Sequence, residues 1–116
     1  MSKNLYDLEI KQGETLSLVA TWRDSNNALV NLTGYTARAQ GRSSYDATTT
    51  LFSLTSSAGI TLGGAAGTIT ISMSATVTAA LTAPAQGVWD LELVSGSGVV
   101  TRLLEGDLRI LPEATR

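Results

Sequence analysis

The chain of 116 residues contains no histidine and no cysteine. Serine–histidine–aspartate triads, thiol nucleophiles, disulfide bonds and almost all zinc sites are therefore excluded. The formal net charge is −2 and the eight basic residues are scattered singly, which argues against nucleic acid as a partner. The length favours one domain, which we place at residues 1–111, followed by a polar tail at residues 112–116.

Hydroxyl side chains dominate the composition, with 16 Thr and 12 Ser beside 11 Gly and only 2 Pro. Charged residues make up 16% of the chain, below the roughly 25% of an average domain. Threonine, valine and isoleucine pack well on half-buried strands and favour sheet over helix. No apolar stretch reaches the length of a membrane span, and the first residues lack the apolar core of a signal peptide. The composition predicts an all-β domain made in the cytoplasm, with no membrane partner.

Alternation with a period of two predicts two strands at the start of the chain. Residues 5–10 set apolar side chains against Asp7 and Glu9. Residues 15–22 alternate apolar and mostly polar side chains in the same way, as expected of a strand with one solvated face. Residues 23–27 then form a polar turn. The side chains expected to face inward are Tyr6, Leu8, Ile10, Leu16, Leu18, Ala20 and Trp22.

The middle of the chain predicts four further strands that are separated by turns. They lie at residues 35–40, 51–54, 60–62 and 68–73, and the last places Ile69, Ile71 and Met73 inward. Residues 29–32 are expected to pack beneath the domain through Leu29, Val30 and Leu32. Residues 41–50, rich in serine and threonine, are expected to form a mobile loop. The glycine-rich residues 63–67 lack the Lys-Ser/Thr of a phosphate-binding loop, so we interpret them as a hairpin turn.

One short helical turn is predicted at residues 74–81. Ser74 is placed to cap it, because a hydroxyl before the first turn accepts a hydrogen bond from a free backbone N–H. Spacings of three and four define one apolar face of this turn. The residues on that face are Val77, Ala80 and Leu81. Pro84 and Gly87 are expected to end this turn.

The last part of the chain predicts a hairpin followed by a further strand segment. Residues 88–94 and 99–104 are its strands and residues 95–98 its turn. Trp89, Leu91 and Leu93 share the inward face, and Gly106 is expected to form a bulge. About eight or nine strands at regular spacing predict a β-sandwich.

Two pairs of carboxylates are the candidates for acid–base catalysis. Asp7 with Glu9, and Asp90 with Glu92, each lie two residues apart on a strand face, with side chains roughly 7 Å apart. Alternating acids are also typical of an ordinary solvated strand. Since arginines on neighbouring strands can neutralise these acids, we expect ion pairing and no catalytic residue. Those arginines are Arg38, Arg42, Arg102 and Arg109.

Three stretches of the sequence resemble a known pattern. They are residues 8–16 (LEIKQGETL) with 21–24 (TWRD) and 31–35 (NLTGY); residues 59–62 (GITL) with 67–71 (GTITI) and the capped turn; and residues 89–93 (WDLEL) with 101–106 (TRLLEG). In this order the chain resembles small virion proteins of tailed bacteriophages and prophages, and the N-terminal domain of the baseplate upper protein family. The resemblance spans nearly the whole chain and implies an immunoglobulin-like antiparallel β-sandwich of about eight or nine strands.

The function implied by this resemblance is structural. It is a non-enzymatic virion subunit of the tail, baseplate or fibre-attachment region, an adaptor assembled in the bacterial host cytoplasm. The implied partners are other virion proteins (tail, fibre, portal-adaptor or capsid subunits) and copies of the chain itself. Neither a cofactor nor a metal ion is expected. The residues expected to contact neighbours are Arg23, Asp24, Asn26, Asn27, Arg42, Tyr45, Asp46, Glu113 and Arg116.

Three alternatives remain open at this stage. A head decoration protein is the second structural hypothesis. A carbohydrate-binding module for host surface glycans would need exposed aromatic rings, and Tyr45 is the best placed, because Trp22 and Trp89 fall on inward faces. Asp24 with its neighbouring asparagines offers oxygen ligands for calcium, although this composition is also that of an ordinary turn.

Overall fold

The computed structural model describes residues 5–115, which contain eight strands and two short helices. The strands are β1 (Leu8–Lys11), β2 (Leu16–Thr21), β3 (Thr36–Arg42), β4 (Phe52–Thr55), β5 (Ile60–Leu62), β6 (Thr68–Met73), β7 (Ala85–Val94) and β8 (Val100–Leu111). The helices are a 3₁₀ helix (Gly64–Ala66) and α1 (Ala75–Ala79). Neither helix is long and apolar enough to cross a membrane.

The strands form the two layers of a sandwich. One sheet has five strands in the order β1-β8-β7-β3-β4, and the other has three in the order β2-β6-β5. Neighbouring strands within these sheets run antiparallel except β1 and β8, which run parallel with Leu8 opposite Leu108. The predicted all-β sandwich is confirmed, and the expectation that it is wholly antiparallel is corrected by this one pair.

The inner faces of the two sheets form one hydrophobic core. Its largest buried apolar side chains are Trp89, Ile10, Leu32, Ile69, Ile71, Leu91, Leu93, Leu108 and Ile110. Burial of each such side chain stabilises the fold by about 1.5–3 kcal/mol relative to exposure. The inward faces predicted for β6 and β7 are confirmed. Trp22 is half-buried and packs edge-to-face on Tyr35, with ring centroids 5.9 Å apart, so both tryptophans belong to the core as expected.

The segment before β1 is held against the centre of the five-stranded sheet. The indole Nε1 of Trp89 donates to the carbonyl oxygen of Tyr6 at 2.7 Å, and the two rings pack edge-to-face. Gly106 lies beneath this segment, where a Cβ atom would collide with the Tyr6 carbonyl. Gly106 therefore allows close approach of two backbones, and the bulge predicted for it lies elsewhere. The register shift falls opposite Leu91 and Glu92, which leaves Leu103 as the extra residue of β8.

The predicted helical turn is present, and of its predicted apolar face Leu81 packs against the core whereas Val77 and Ala80 are exposed. The Ser74 hydroxyl accepts from Val77 N at 3.2 Å, as expected of a cap. Val77 is 45% exposed, whereas the side chain of Thr78 is completely buried. The Thr78 hydroxyl donates to the Glu14 carbonyl at 3.0 Å and accepts from Gly13 N at 3.1 Å. A satisfied hydroxyl thus ties α1 to the β1–β2 turn.

Two further expectations are corrected by the packing. Leu29 is 44% exposed and bridges to Arg23, so only Val30 and Leu32 of that segment pack inward. Gly87 does not end the helical turn but lies within β7, where a Cβ atom would collide with the carbonyl oxygen of Arg42.

Candidate functional site

A cluster of charged side chains occupies the outer face of the five-stranded sheet. Since residues that face each other across a ladder point to the same side, the register assigns its members. They are Arg38 of β3, Asp90 and Glu92 of β7, and Arg102 and Glu105 of β8. We call these five residues the charged face. The three strands that carry the charged face, β3, β7 and β8, are the middle strands of the sheet, with β4 on one side and β1 on the other. The charged face therefore lies at the middle of the sheet surface, where a partner can reach it.

The outer face of the three-stranded sheet is different in character. Its outward-facing side chains are Ser17, Val19 and Thr21 of β2, Thr61 of β5, and Thr68, Thr70 and Ser72 of β6. None of these carries a charge. The two layers of the sandwich therefore present one charged surface and one hydroxyl-rich surface.

The first ion pair of the charged face joins β3 and β7. Arg38 Nε donates to Glu92 Oε1 at 2.8 Å across directly opposed positions. The Arg38 side chain is 54% exposed and that of Glu92 is 23% exposed. Because the guanidinium has five N–H donors, most of its donor capacity faces solvent.

The other ion pairs of the charged face are made by Arg102, which bridges two carboxylates. Its Nε lies 3.5 Å from Asp90 Oδ2 and its Nη1 lies 3.3 Å from Glu105 Oε1. Glu105 is only 8% exposed, although it stands on the outer face of the sheet. A cation beside a nearly buried carboxylate offsets the cost of removing that charge from water.

Asp90 is the member of the face whose ionised form the fold disfavours. Partial burial raises the pKa of the Asp90 carboxyl, and the charge of Glu92 raises it further. Arg102 lowers this pKa but does not compensate for the burial and the neighbouring acids.

A network of uncharged polar groups extends the face toward the edge strand β4. Gln40 Nε2 donates to Ser53 Oγ at 3.3 Å, and Gln40 Oε1 accepts from Arg42 Nη2 at 3.0 Å. Arg42 also donates to the Ala47 carbonyl at 2.9 Å. Its predicted place in a mobile loop is corrected: Arg42 is the last residue of β3, and it anchors the following loop.

The predicted turn after β2 brings four candidate contact residues together. Asp24 Oδ1 accepts from the backbone N–H groups of Asn26 and Ala28, at 2.9 and 3.0 Å. Arg23 Nη1 donates to the carbonyl of Asn27 at 3.0 Å, and Asn27 has a φ of 64°. The carboxylate is used to close this turn. Within residues 5–115 no group of acidic side chains is arranged to hold a metal ion.

The remaining candidate contact residues lie apart from the charged face. Tyr45 is 63% exposed, as expected, and Asp46 beside it is exposed too. Glu113 is partly buried, and its backbone N–H donates to Gln12 Oε1 at 3.2 Å, which holds the start of the predicted tail. Arg116 lies outside the described residues. The contact roles of these residues stay predictions.

Three of the four carboxylates considered for catalysis, those of Asp7, Asp90 and Glu92, have structural partners. Asp7 Oδ1 accepts from the backbone N–H of Asp107 at 3.0 Å, which fixes the start of β1 on β8. Asp90 and Glu92 pair with arginines, as the sequence indicated for Arg38 and Arg102. A shallow, open depression of about 550 Å³ lies farther along this sheet around Gly87. Its floor includes Asp107 and Arg109.

Glu105 belongs to the charged face, although the sequence does not predict it there. Strict alternation along β8 from Arg102 would point Glu105 to the opposite side of the sheet. The irregularity at Leu103 changes that, and no glycine or proline marks the position. The sequence predicts the bulge at Gly106 instead, because glycine is the only local signal of an irregular backbone in this strand.

This two-layer arrangement defines the class of fold, an immunoglobulin-like β-sandwich. Its backbone is similar to the extracellular domain of the voltage-gated sodium channel β4 subunit, with a TM-score of 0.52, 12% identity, and coverage of 97% of this chain and 96% of that chain. A second structure of sodium channel β subunits gives a TM-score of 0.48 at 13% identity, covering 92% of each chain. The first Ig-like domain of human CD48 antigen gives 0.40 at 11% identity, covering 100% of this chain and 89% of that chain.

No family model matches the sequence, and neither does any curated protein. At these identities the structural likeness shows the fold, and the predicted immunoglobulin-like sandwich is confirmed. The predicted role as a phage tail, baseplate or fibre-attachment subunit is wrong on this comparison. The similar structure of the sodium channel β4 subunit is an extracellular domain with a role in cell–cell adhesion, and it has no link to a phage virion. The family resemblance itself stays a prediction.

Proposed function

We propose that this chain is a non-enzymatic protein-association module that binds copies of itself through the charged face. The observation that carries the proposal is the interleaving of both charge signs on neighbouring strands at the middle of an open sheet. Such a pattern is complementary to itself. A two-fold axis that passes near Arg38 and Glu92 brings the arginine of each copy onto the carboxylate of the other.

The exposure of the charged face supports a contact of this kind. Arg38 uses its Nε within the chain and keeps further N–H donors available to a second carboxylate. Asp90 is disfavoured in its ionised form by burial and by Glu92. A guanidinium from a second copy would relieve that cost, because opposite charge stabilises the carboxylate. We expect modest affinity and a strong dependence on salt, since exposed ion pairs are screened.

The fold comparison supports the choice of self-association. The extracellular domain of the sodium channel β4 subunit is described as forming parallel homodimers that explain its role in cell–cell adhesion. That property belongs to the sodium channel protein, which shares the fold with this chain at 12% identity. It makes association between copies the natural function to test first.

The test is a charge swap measured by sedimentation velocity. Arg38→Glu and Glu92→Arg each place like charges across the contact, and each variant alone is expected to lose the association that salt weakens. Mixed in equal amounts, the two variants are expected to associate again, because one then presents an acidic face and the other a basic face. Thr70→Lys, on the outer face of the other sheet, serves as the control and should associate as the wild type does. Association that is unchanged by both single variants, or a wild type that stays monomeric at high concentration, contradicts the proposal.

A further inference from the structure

The strand β2 ends the three-stranded sheet, and one of its two edges has no partner strand among residues 5–115. Trp22 N donates to the Gly67 carbonyl at 2.8 Å, immediately after the β2–β6 ladder. In an antiparallel ladder the residues that bond across it alternate along the strand. Leu16, Leu18 and Ala20 therefore bond to β6. The backbone N–H and C=O groups of Ser17, Val19 and Thr21 point away from β6, toward the open edge.

This edge lacks the features by which proteins protect an exposed strand. Charged side chains, proline and bulges normally prevent a foreign strand from pairing there. The sequence of β2 is LSLVAT, and its ladder with β6 is regular along its whole length. Val19, at its centre, is 58% exposed. Beyond Thr21, both backbone groups of Trp22 lie on the β6 side, where its N–H donates to the Gly67 carbonyl and its carbonyl accepts from Val30 N at 3.0 Å.

We infer that the open edge of β2 is a second self-association surface, at which β2 of another copy pairs antiparallel with it. A two-fold axis near Val19 sets valine beside valine and brings Ser17 of each copy toward Thr21 of the other. No charged side chain lies between Leu16 and Thr21, so two identical edges meet without like-charge repulsion. The pairing satisfies the outward backbone groups of all three residues on both copies, and it joins the two three-stranded sheets into one.

This inference goes beyond the proposed function, because the surface and its physical chemistry are different. The charged face belongs to the other sheet and depends on ion pairs, whereas the β2 edge depends on backbone hydrogen bonds that salt screens little. A molecule with two surfaces that each pair with themselves builds assemblies larger than a dimer. The two surfaces therefore respond to different variants and to different solution conditions.

A single introduced cysteine gives the first test, because the wild-type chain has none. Residues directly opposed in a hydrogen-bonded antiparallel pair have Cα atoms about 5.5 Å apart, within the range that a disulfide spans. Val19→Cys is expected to form a disulfide-linked dimer under mild oxidation, and to do so equally in the Arg38→Glu background. Thr70→Cys is the matched control. It lies on β6, so the two copies of Thr70 would be about three strand spacings, roughly 14 Å, apart.

The second test breaks the pairing without removing core contacts. Val19→Lys adds a charge to the edge, and Val19→Pro removes an N–H that β6 does not use. Both are expected to abolish the association that persists at high salt, while Thr70→Lys retains it. Far-UV circular dichroism and thermal unfolding identify any variant that has lost its fold. If Val19→Lys and Val19→Pro have both lost it, the disulfide yield of Val19→Cys alone tests the pairing.

Three outcomes overturn the β2 pairing. One is equal disulfide yield for Val19→Cys and Thr70→Cys, and another is salt-resistant association that survives both Val19→Lys and Val19→Pro. The third is preferential cross-linking of Val19→Cys to Thr61→Cys, which would make β5 of the neighbour the occupant. If Arg38→Glu leaves association unchanged while the Val19 variants still abolish the salt-resistant part, only the proposal for the charged face is contradicted. A monomeric wild type at both low and high salt contradicts both proposals.

Discussion

Arg102 and Glu105 lie three residues apart on β8, yet their side chains share the outer face of the sheet and form an ion pair of 3.3 Å. In a regular strand, side chains three residues apart point to opposite faces. The register shift opposite Leu91 and Glu92 makes Leu103 an extra residue, and its side chain is buried in the core. The bulge thereby places one guanidinium beside Asp90 and Glu105 at once.

This bridge predicts unequal consequences for the two arginines of the charged face. Arg102→Ala leaves a nearly buried carboxylate without the guanidinium that contacts it, and we expect a loss of about 1–2 kcal/mol in the free energy of unfolding. Arg38→Ala removes one half-exposed ion pair and is expected to cost less than about 1 kcal/mol. Urea unfolding of both variants at neutral pH measures the difference. Equal losses would contradict a bridging role for Arg102.

The raised pKa of Asp90 predicts a pH-dependent difference in stability. An acid whose pKa is raised in the folded state contributes stability below its ordinary value of 3.8, and this contribution is lost as the pH rises through the folded pKa. Asp90→Asn cannot ionise and should therefore unfold at a higher temperature than the wild type at neutral pH. The difference should shrink as the pH falls toward 3.8. A wild type that is the more stable at neutral pH would show that the ion pair with Arg102 outweighs burial.

The buried hydroxyl of Thr78 predicts a specific cost for its removal. Thr78→Val keeps the shape of the side chain but leaves the Gly13 N–H and the Glu14 carbonyl without this partner. We expect a loss of about 1–3 kcal/mol. Thr76→Val, an exposed position on the same helix, is the control and should change stability little. Thermal unfolding measures both, and similar values would contradict a role for Thr78 in tying α1 to the β1–β2 turn.

The close approach at Gly106 predicts that a single methyl group disrupts the N-terminal strand. Gly106→Ala would push against the Tyr6 carbonyl, which also accepts the hydrogen bond from Trp89. We expect a destabilisation of about 1–3 kcal/mol and faster amide exchange in β1. Gly96→Ala is the matched control, because a Cβ atom there has its nearest neighbour at an ordinary contact distance of 3.5 Å. If the two variants exchange alike, β1 is not held through this contact.

Much of the fold follows from local patterns that the sequence displays directly. The alternation of β7 assigns Trp89 and Leu91 to the core and Asp90 to the surface, because successive side chains of a strand point to opposite faces. The same rule places Arg38 among the side chains able to neutralise the acids of β7. Ser74 marks the start of α1, because a hydroxyl at that position satisfies a free N–H. These features need only a residue and its near neighbours in the chain.

The features that distinguish this molecule depend on contacts between distant segments. Thr78 is the buried residue of α1, because the groups that its hydroxyl bonds belong to the β1–β2 turn. Glu105 joins the charged face only through the extra residue Leu103, which fills space in the core.

The order of residues along each strand sets the composition of its two faces, including the uncharged run of β2 and the acids of β7. The packing of distant segments is what places β2 at an edge, β1 parallel to β8, and Arg102 within reach of two carboxylates. The physical reason is that alternation is a property of one strand. Which strands become neighbours depends on the packing of the whole core. The same packing sets whether an uncharged strand edge is covered by another strand or remains exposed.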